Sequence, residues 1–248
     1  MVLLLMGWRY FLSHSIVRQR QVILYKLESE IFGGGLCSPT CESKDDSWMG
    51  RAGGRYAENI MTSQMDPARR VAVYCGSADG NDPAFRAEAT ALGVALATAG
   101  LGLVYGGAVV GLMGAVADAA LAGGAEVIGV LPEVLAGNEI AHPRLTRLEL
   151  VDTMHQRKAR MVELADAILV LPGGYGTLEE VLEAVTWAQL SLHAKPCILI
   201  NTAGYWDGLL AFLDTAVEAG FLKPKNRELM RVAADAEEAV GMLVAAPR

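Results

Sequence analysis

The chain has 248 residues, 52% hydrophobic and 20% charged, with 21 Lys and Arg against 28 Asp and Glu for a formal net charge of −7. So apolar a composition excludes a disordered chain, and an acidic balance with no Lys/Arg run offers no basic face for nucleic acid. Four scattered cysteines (Cys37, Cys41, Cys75, Cys197) make neither a disulfide framework nor paired zinc ligands, and such usage fits a reducing cytoplasm.

Residues 1–65 read differently from the rest. Met1 to Met6 is apolar but breaks at Gly7, Trp8 and Arg9, too short to span a bilayer and with no basic residue ahead of it to make a signal peptide, so no membrane association is expected. Arg18-Gln19-Arg20 and Gly33-Gly34-Gly35 follow without sustained periodicity, which predicts a poorly ordered extension. A genuine tail, a targeting sequence and a mis-assigned start upstream of Met61 or Met65 all fit this composition. One domain is expected over residues 66–248.

From Arg70 onward, apolar runs of strand length alternate with Ala-rich helical stretches. Strands are predicted at 70–75, 101–105, 126–131, 148–151, 167–171 and 197–200, and helices near 84–99, 112–123, 154–165, 178–192 and 206–219, with shorter ones near 225–231 and 235–245. Most of the strands are continuous rather than alternating apolar runs, as expected where both faces of a sheet are covered. This rhythm predicts a Rossmann-like α/β fold: a doubly wound, mostly parallel sheet with helices on both faces. In such folds ligands bind beyond the carboxyl ends of the strands, so the turns after the strands are where chemistry belongs.

Two of these turns are glycine-rich. Gly106-Gly107-Ala108-Val109-Val110-Gly111 follows the second strand, and Pro172-Gly173-Gly174-Tyr175-Gly176-Thr177 follows the fifth. Glycine lets backbone N–H groups approach an anion closely, and a helix N-terminus adds roughly half a positive charge at the same place. Neither turn is a dinucleotide fingerprint: Glu179 stands where a third glycine would follow Gly174-x-Gly176, and no Walker lysine follows either turn. A tight connection alone explains one such turn; two in one sheet favour phosphate binding.

The third turn is Asp152-Thr153-Met154-His155-Gln156-Arg157-Lys158. Thr153 with Gln156 has the form of a capping box, which starts a helix at Thr153 and places Arg157 and Lys158 about one turn in, where the dipole disfavours cations. Both border an apolar face through Met161 and its neighbours, so they are either snorkelling surface cations or partners of an anion. Glu180 has two readings as well: the reciprocal half of a Thr177 capping box, or a carboxylate that serves an adjoining reaction as acid, base or cation stabiliser. Glu179 and Glu183 are expected on a solvated face, and His155 and His193 lack partners at metal-ligand spacing, so no metal is expected.

Pro172-Gly173-Gly174-Tyr175-Gly176-Thr177-Leu178-Glu179-Glu180 and Met154-His155-Gln156-Arg157-Lys158-Ala159-Arg160-Met161 together resemble the PGGxGTxxE motif and companion segment of the Lonely Guy (LOG) family, the cytokinin riboside 5′-monophosphate phosphoribohydrolases. Cys75-Gly76-Ser77 and the segment Tyr105 to Gly114 add to the resemblance, which covers roughly residues 70–245. It implies a homodimer that takes a small nucleoside 5′-monophosphate, cytokinin ribotides and AMP among them, and hydrolyses its N-glycosidic bond to free base and ribose 5-phosphate without a cofactor. It also implies Arg157 and Glu180 as the catalytic pair, and Lys158, Gly173, Gly174, Tyr175, Gly176, Thr177, Ser77, Gly106, Gly107, Glu139 and Thr186 as substrate-binding positions. Ala108 departs from the third glycine of many relatives. A lysine decarboxylase, an older label for such sequences, needs a pyridoxal-phosphate lysine that neither turn supplies. A general nucleotide nucleosidase shares every motif, and a non-catalytic nucleotide or cofactor carrier shares the fold; the Arg157/Glu180 pair counts against the carrier.

Overall fold

Strand and helix alternate throughout the computed structural model, which describes residues 69–136 and 141–245. The extension expected over residues 1–65, and Glu139, lie outside the described residues. The elements are β1 (Arg70–Tyr74), α1 (Pro83–Thr98), β2 (Gly102–Tyr105), α2 (Gly111–Ala122), β3 (Val127–Pro132), α3 (Glu133–Ala136), β4 (Arg147–Val151), α4 (Met154–Leu164), β5 (Ala167–Val170), α5 (Tyr175–Gln189), β6 (Cys197–Ile200), α6 (Asp207–Glu218), α7 (Pro224–Arg227), β7 (Met230–Ala233) and α8 (Ala236–Val244). The strands form one sheet in the order β4-β3-β2-β1-β5-β6-β7, and each pairs its neighbours in parallel.

The alternation of β1 shows how the two layers arise. Val71 and Val73 point into a core shared with α1, α2 and α8, while Ala72 and Tyr74 point into a second core shared with α4, α5 and α6. Asp82 caps α1 by accepting from the Ala84 N–H at 2.9 Å, ahead of a proline whose missing N–H is no loss there. Midway along α1, Gly93 lets α2 pack against it: a β-carbon there would stand 2.5 Å from the Val116 carbonyl.

Two predictions need correction, and one element falls outside them. The segment expected as a short helix near 225–231 is α7 followed by strand β7, whose middle residues Arg231 and Val232 are exposed because β7 is an edge strand. Its pattern therefore lacks the continuous apolar run of the inner strands. Helix α5 begins at Tyr175, not Leu178, so Thr177 lies inside the first turn and the cap is Gly174. The four-residue α3 was not expected at all.

From β1 the chain winds outward through β2 and β3 to β4 on one side, then returns to β5 and runs through β6 to β7 on the other. The switch point therefore lies between the carboxyl ends of β1 and β5, which are followed by Cys75-Gly76-Ser77 and Pro172-Gly173-Gly174.

Candidate active site

The two turns at the switch point are fastened to one another. The Gly76 N–H donates to the Pro172 carbonyl at 3.0 Å, and a β-carbon on Gly173 would fall 2.1 Å from Thr177 Oγ1 and 2.9 Å from the Gly76 nitrogen. Gly173 is thus required by packing. Gly174 and Gly176 are different: a β-carbon on either meets no atom within 4 Å, and neither has a left-handed backbone. Their missing side chains leave room above the first N–H groups of α5, where a helix presents unpaired donors.

A cavity of about 210 Å³ opens there, lined by Cys75, Ser77, Gly106, Met113, Met161 and the α5 turn from Gly174 to Thr177, with Arg157 and Glu180 in its wall. Arg157 reaches it from α4, whose start is the predicted one. Thr153 Oγ1 accepts from the Gln156 N–H at 3.2 Å, while Gln156 Oε1 accepts from the Asp152 N–H at 2.8 Å, one residue before the usual capping-box partner. Four residues after Thr153, Arg157 points inward. Its Nε donates to the Val130 carbonyl within β3 (3.1 Å) and its Nη1 to Glu180 Oε1 (2.9 Å). Gly106 makes the third wall of this slot, since any side chain there would collide with Nη2.

Glu180 is therefore no helix cap. It lies in the second turn of α5, its side chain 9% exposed, paired with an Arg157 side chain that is 11% exposed. Burial raises the Glu180 pKa, and the Arg157 charge beside it only partly opposes this. Cys75, in the same wall, is pushed up by burial and so remains a protonated thiol instead of a nucleophile.

Lys158 does not join them. Its ammonium bonds Glu179 and lies 2.9 Å from Glu183 Oε2, both on α5, with the side chain 5% exposed. Burial pulls its pKa down, but the bonds to Glu179 and Glu183 outweigh this and hold it above the ordinary lysine value. The expectation of a solvated face holds for Glu179, whose side chain is 56% exposed, but Glu179 and Glu183 also tie α5 to α4. Thr186 is also away from the cavity, donating to the Leu182 carbonyl one turn back. Gly107, with φ +80°, shapes the β2 turn and accepts from the His142 N–H, and Gly173 faces an adjoining cavity under Tyr205. Ser77, Gly106, Gly174, Tyr175, Gly176 and Thr177 are gathered with Arg157 and Glu180.

Sequence reasoning missed Val130, whose carbonyl acts regardless of side chain and so leaves no signal, and Tyr205, whose hydroxyl donates to the Gly173 carbonyl at 2.6 Å across 32 residues. Among the described residues no group of His, Cys, Asp and Glu is arranged to hold a metal. Pyridoxal phosphate does not fit the site either, since among the described residues no lysine lines the cavity.

Fold and site together define a doubly wound α/β protein with a cleft at its switch point, where the N-terminus of α5 meets Arg157 and Glu180. A family model described as "Possible lysine decarboxylase" matches residues 113–243. Among similar proteins, the probable cytokinin riboside 5′-monophosphate phosphoribohydrolase LOGL9 of Oryza sativa subsp. japonica is 46% identical over 206 residues, covering 83% of this chain and 90% of the relative. The Arabidopsis thaliana cytokinin riboside 5′-monophosphate phosphoribohydrolase LOG1 is 46% identical over 175 residues, 71% of this chain and 82% of its own length. The chain belongs to the Lonely Guy family of phosphoribohydrolases. Its fold is shared with the molybdenum cofactor binding protein of Rippkaea orientalis, at a TM-score of 0.55 and 22% identity over 72% of this chain and 96% of that one. The molybdenum cofactor carrier protein of Chlamydomonas reinhardtii has it too, at a TM-score of 0.54 and 23% identity over 71% and 96%.

Proposed function

We propose that this protein hydrolyses the N-glycosidic bond of cytokinin riboside 5′-monophosphates, and of AMP, releasing free base and ribose 5-phosphate. The observation that carries this reading is the buried Arg157–Glu180 pair standing in one cavity with the open N-terminus of α5. The α5 donors receive the 5′-phosphate, which the helix dipole also favours. With the phosphate held there, the ribose faces Glu180. As the bond from C1′ to the base nitrogen breaks, the sugar gains positive character that the carboxylate stabilises, while Arg157 fixes the carboxylate's position. Water supplies the hydroxyl that forms on C1′, and its proton leaves with the base.

The nucleosidase and carrier readings are separated by one experiment. Incubation with AMP and with isopentenyladenine ribotide, followed by assay of free base, is expected to show release from both, with the ribotide preferred. Binding without release would point to a carrier. The matching nucleosides, which leave the α5 donors unpaired, are expected to be far poorer substrates.

The assembly belongs to the same proposal. Leu182, Leu190 and Leu192, on and just after α5, are exposed, although Val181 and Ala184 of that helix are buried. Burying these leucines against a second copy is the reason to expect a homodimer, which sedimentation at assay concentration tests. The buried free thiols of Cys75 and Cys197 suit a reducing cytoplasm, and no described helix is long and apolar enough to cross a membrane. Residues 66–248 are proposed to form the catalytic domain, so a chain begun at Met65 should retain hydrolysis.

A further inference from the structure

The segment between β6 and α6 reaches back to the α5 turn. Asn201 organises it: its Nδ2 donates to Asp207 Oδ1 and its Oδ1 accepts from the Trp206 N–H, both at 2.7 Å. Within the loop, Ala203 and Gly204 have φ of 53° and 71°. A left-handed backbone is unfavourable for alanine, so the surrounding contacts must hold this conformation. What it achieves is the placement of Tyr205. The Tyr205 ring sits edge-on between Trp206 and Phe85, with centroids 4.8 and 5.5 Å away, and its hydroxyl donates to the Gly173 carbonyl at 2.6 Å.

That carbonyl belongs to the peptide joining Gly173 to Gly174. A trans peptide is planar, so its C=O and N–H point in opposite directions, and holding one fixes the other. With glycine on both sides, this peptide meets little steric resistance to rotation as a unit. Rotated, it would turn a carbonyl instead of an N–H toward the place where an anion binds, and the helix that Gly174 caps lends no side chain to prevent it.

We infer that Tyr205 is a positioning residue for the anion turn: its hydroxyl locks the Gly173–Gly174 peptide with the N–H available to the substrate phosphate. This rests on the reading that the α5 turn receives that phosphate. Tyr205 itself need not touch the substrate. Its ring is shared with Phe85 and Trp206, so the hydroxyl can be removed with the stacking kept.

The test is Tyr205→Phe in the full chain, assayed for AMP hydrolysis, competitive inhibition by inorganic phosphate, and Tm. KM and the phosphate inhibition constant are expected to rise together about tenfold, the scale of one anion-directed hydrogen bond, while kcat stays within about twofold. A purely structural hydroxyl would lower Tm and leave both constants unchanged, and that result overturns the inference. If phosphate fails to inhibit the parent enzyme, the anion-turn reading falls and the role of Tyr205 falls with it. If phosphate inhibits parent and Tyr205→Phe equally, only the role of Tyr205 falls.

Discussion

Gly106 and Arg157 are complementary in shape: a β-carbon on Gly106 would stand 2.1 Å from Arg157 Nη2 and 3.3 Å from the guanidinium carbon. The glycine after β2 therefore serves the arginine before it serves any ligand. Since Arg157 is also held by Val130 and Glu180, the guanidinium has no alternative position on that side without breaking a bond.

Gly106→Ala is accordingly expected to act on catalysis through Arg157. Hydrolysis should fall at least about tenfold with the fold retained, because a small displacement of a positioned group is costly to the transition state. Combining Gly106→Ala with Arg157→Ala should add little to the arginine variant alone, and steady-state kinetics of the double variant measure this non-additivity.

Arg157→Ala and Lys158→Ala should separate function from stability. The first removes the partner of a buried carboxylate in the cavity and should lower turnover by at least roughly 100-fold. The second breaks the tie between α4 and α5; it should leave turnover within about tenfold and lower stability by about 1–3 kcal/mol, less than a fully buried pair because Glu179 is solvated. Paired denaturation and activity measurements decide it, and a Lys158→Ala enzyme that is stable but inactive would return the lysine to the substrate.

Glu180→Gln keeps a hydrogen-bond acceptor for Arg157 but removes the charge, so hydrolysis is expected to drop at least roughly 100-fold with AMP binding preserved. The pH profile supplies a second check. Burial raises the Glu180 pKa above its ordinary value of 4.5, so in the free enzyme kcat/KM should fall as pH drops through an inflection above 4.5. Stability runs the other way. Between the ordinary and the raised value the folded state binds more protons than the unfolded state, so this group's contribution to stability decreases as pH rises across that window. Both dependences should vanish in Glu180→Gln.

Gly176→Ala tests the open space above α5. The position is helical, has no left-handed φ and meets nothing within 4 Å, so alanine should stabilise the protein by about 0.5 kcal/mol through helix propensity. The same methyl group stands beside the anion donors and should raise KM for the 5′-monophosphate. A higher Tm with a weaker substrate is the expected signature; unchanged kinetics would place the phosphate elsewhere.

The strand–helix rhythm was legible because the inner strands are continuous apolar runs, and the start of α4 because Thr153 and Gln156 are a local code. Strand β7 was not, since an edge strand with two exposed residues has neither pattern. In the site, Gly174, Gly176 and Thr177 could be read from their turn, and Arg157 from its place on an apolar face. Lys158 has nearly the same local setting as Arg157 yet bonds Glu179 and Glu183 instead of Glu180. One residue on a helix is a rotation of about 100°, and only the positions of Glu179 and Glu183 on a different helix decide which cation enters the cavity. Glu180 matched a capping box that the earlier start of α5 makes irrelevant.

The switch point also sets when the site comes into being during synthesis. The chain reaches β5 only after β1 to β4 have emerged, and the tie from the Arg70 N–H to Asp166 Oδ2 spans 96 residues. A nascent chain ending before Ala167 already carries Ser77, Gly106 and Arg157, but lacks both the glycine turn of α5 and Glu180. Its arginine has a slot and no carboxylate, and its half of the cleft has no helix end to face. Closing so long a loop is slow and unrewarded until β5 docks against β1. On the proposed function, affinity for the phosphate would arrive in one step with that docking, and nucleotide would favour the finished sheet without lending any stability to the partial one.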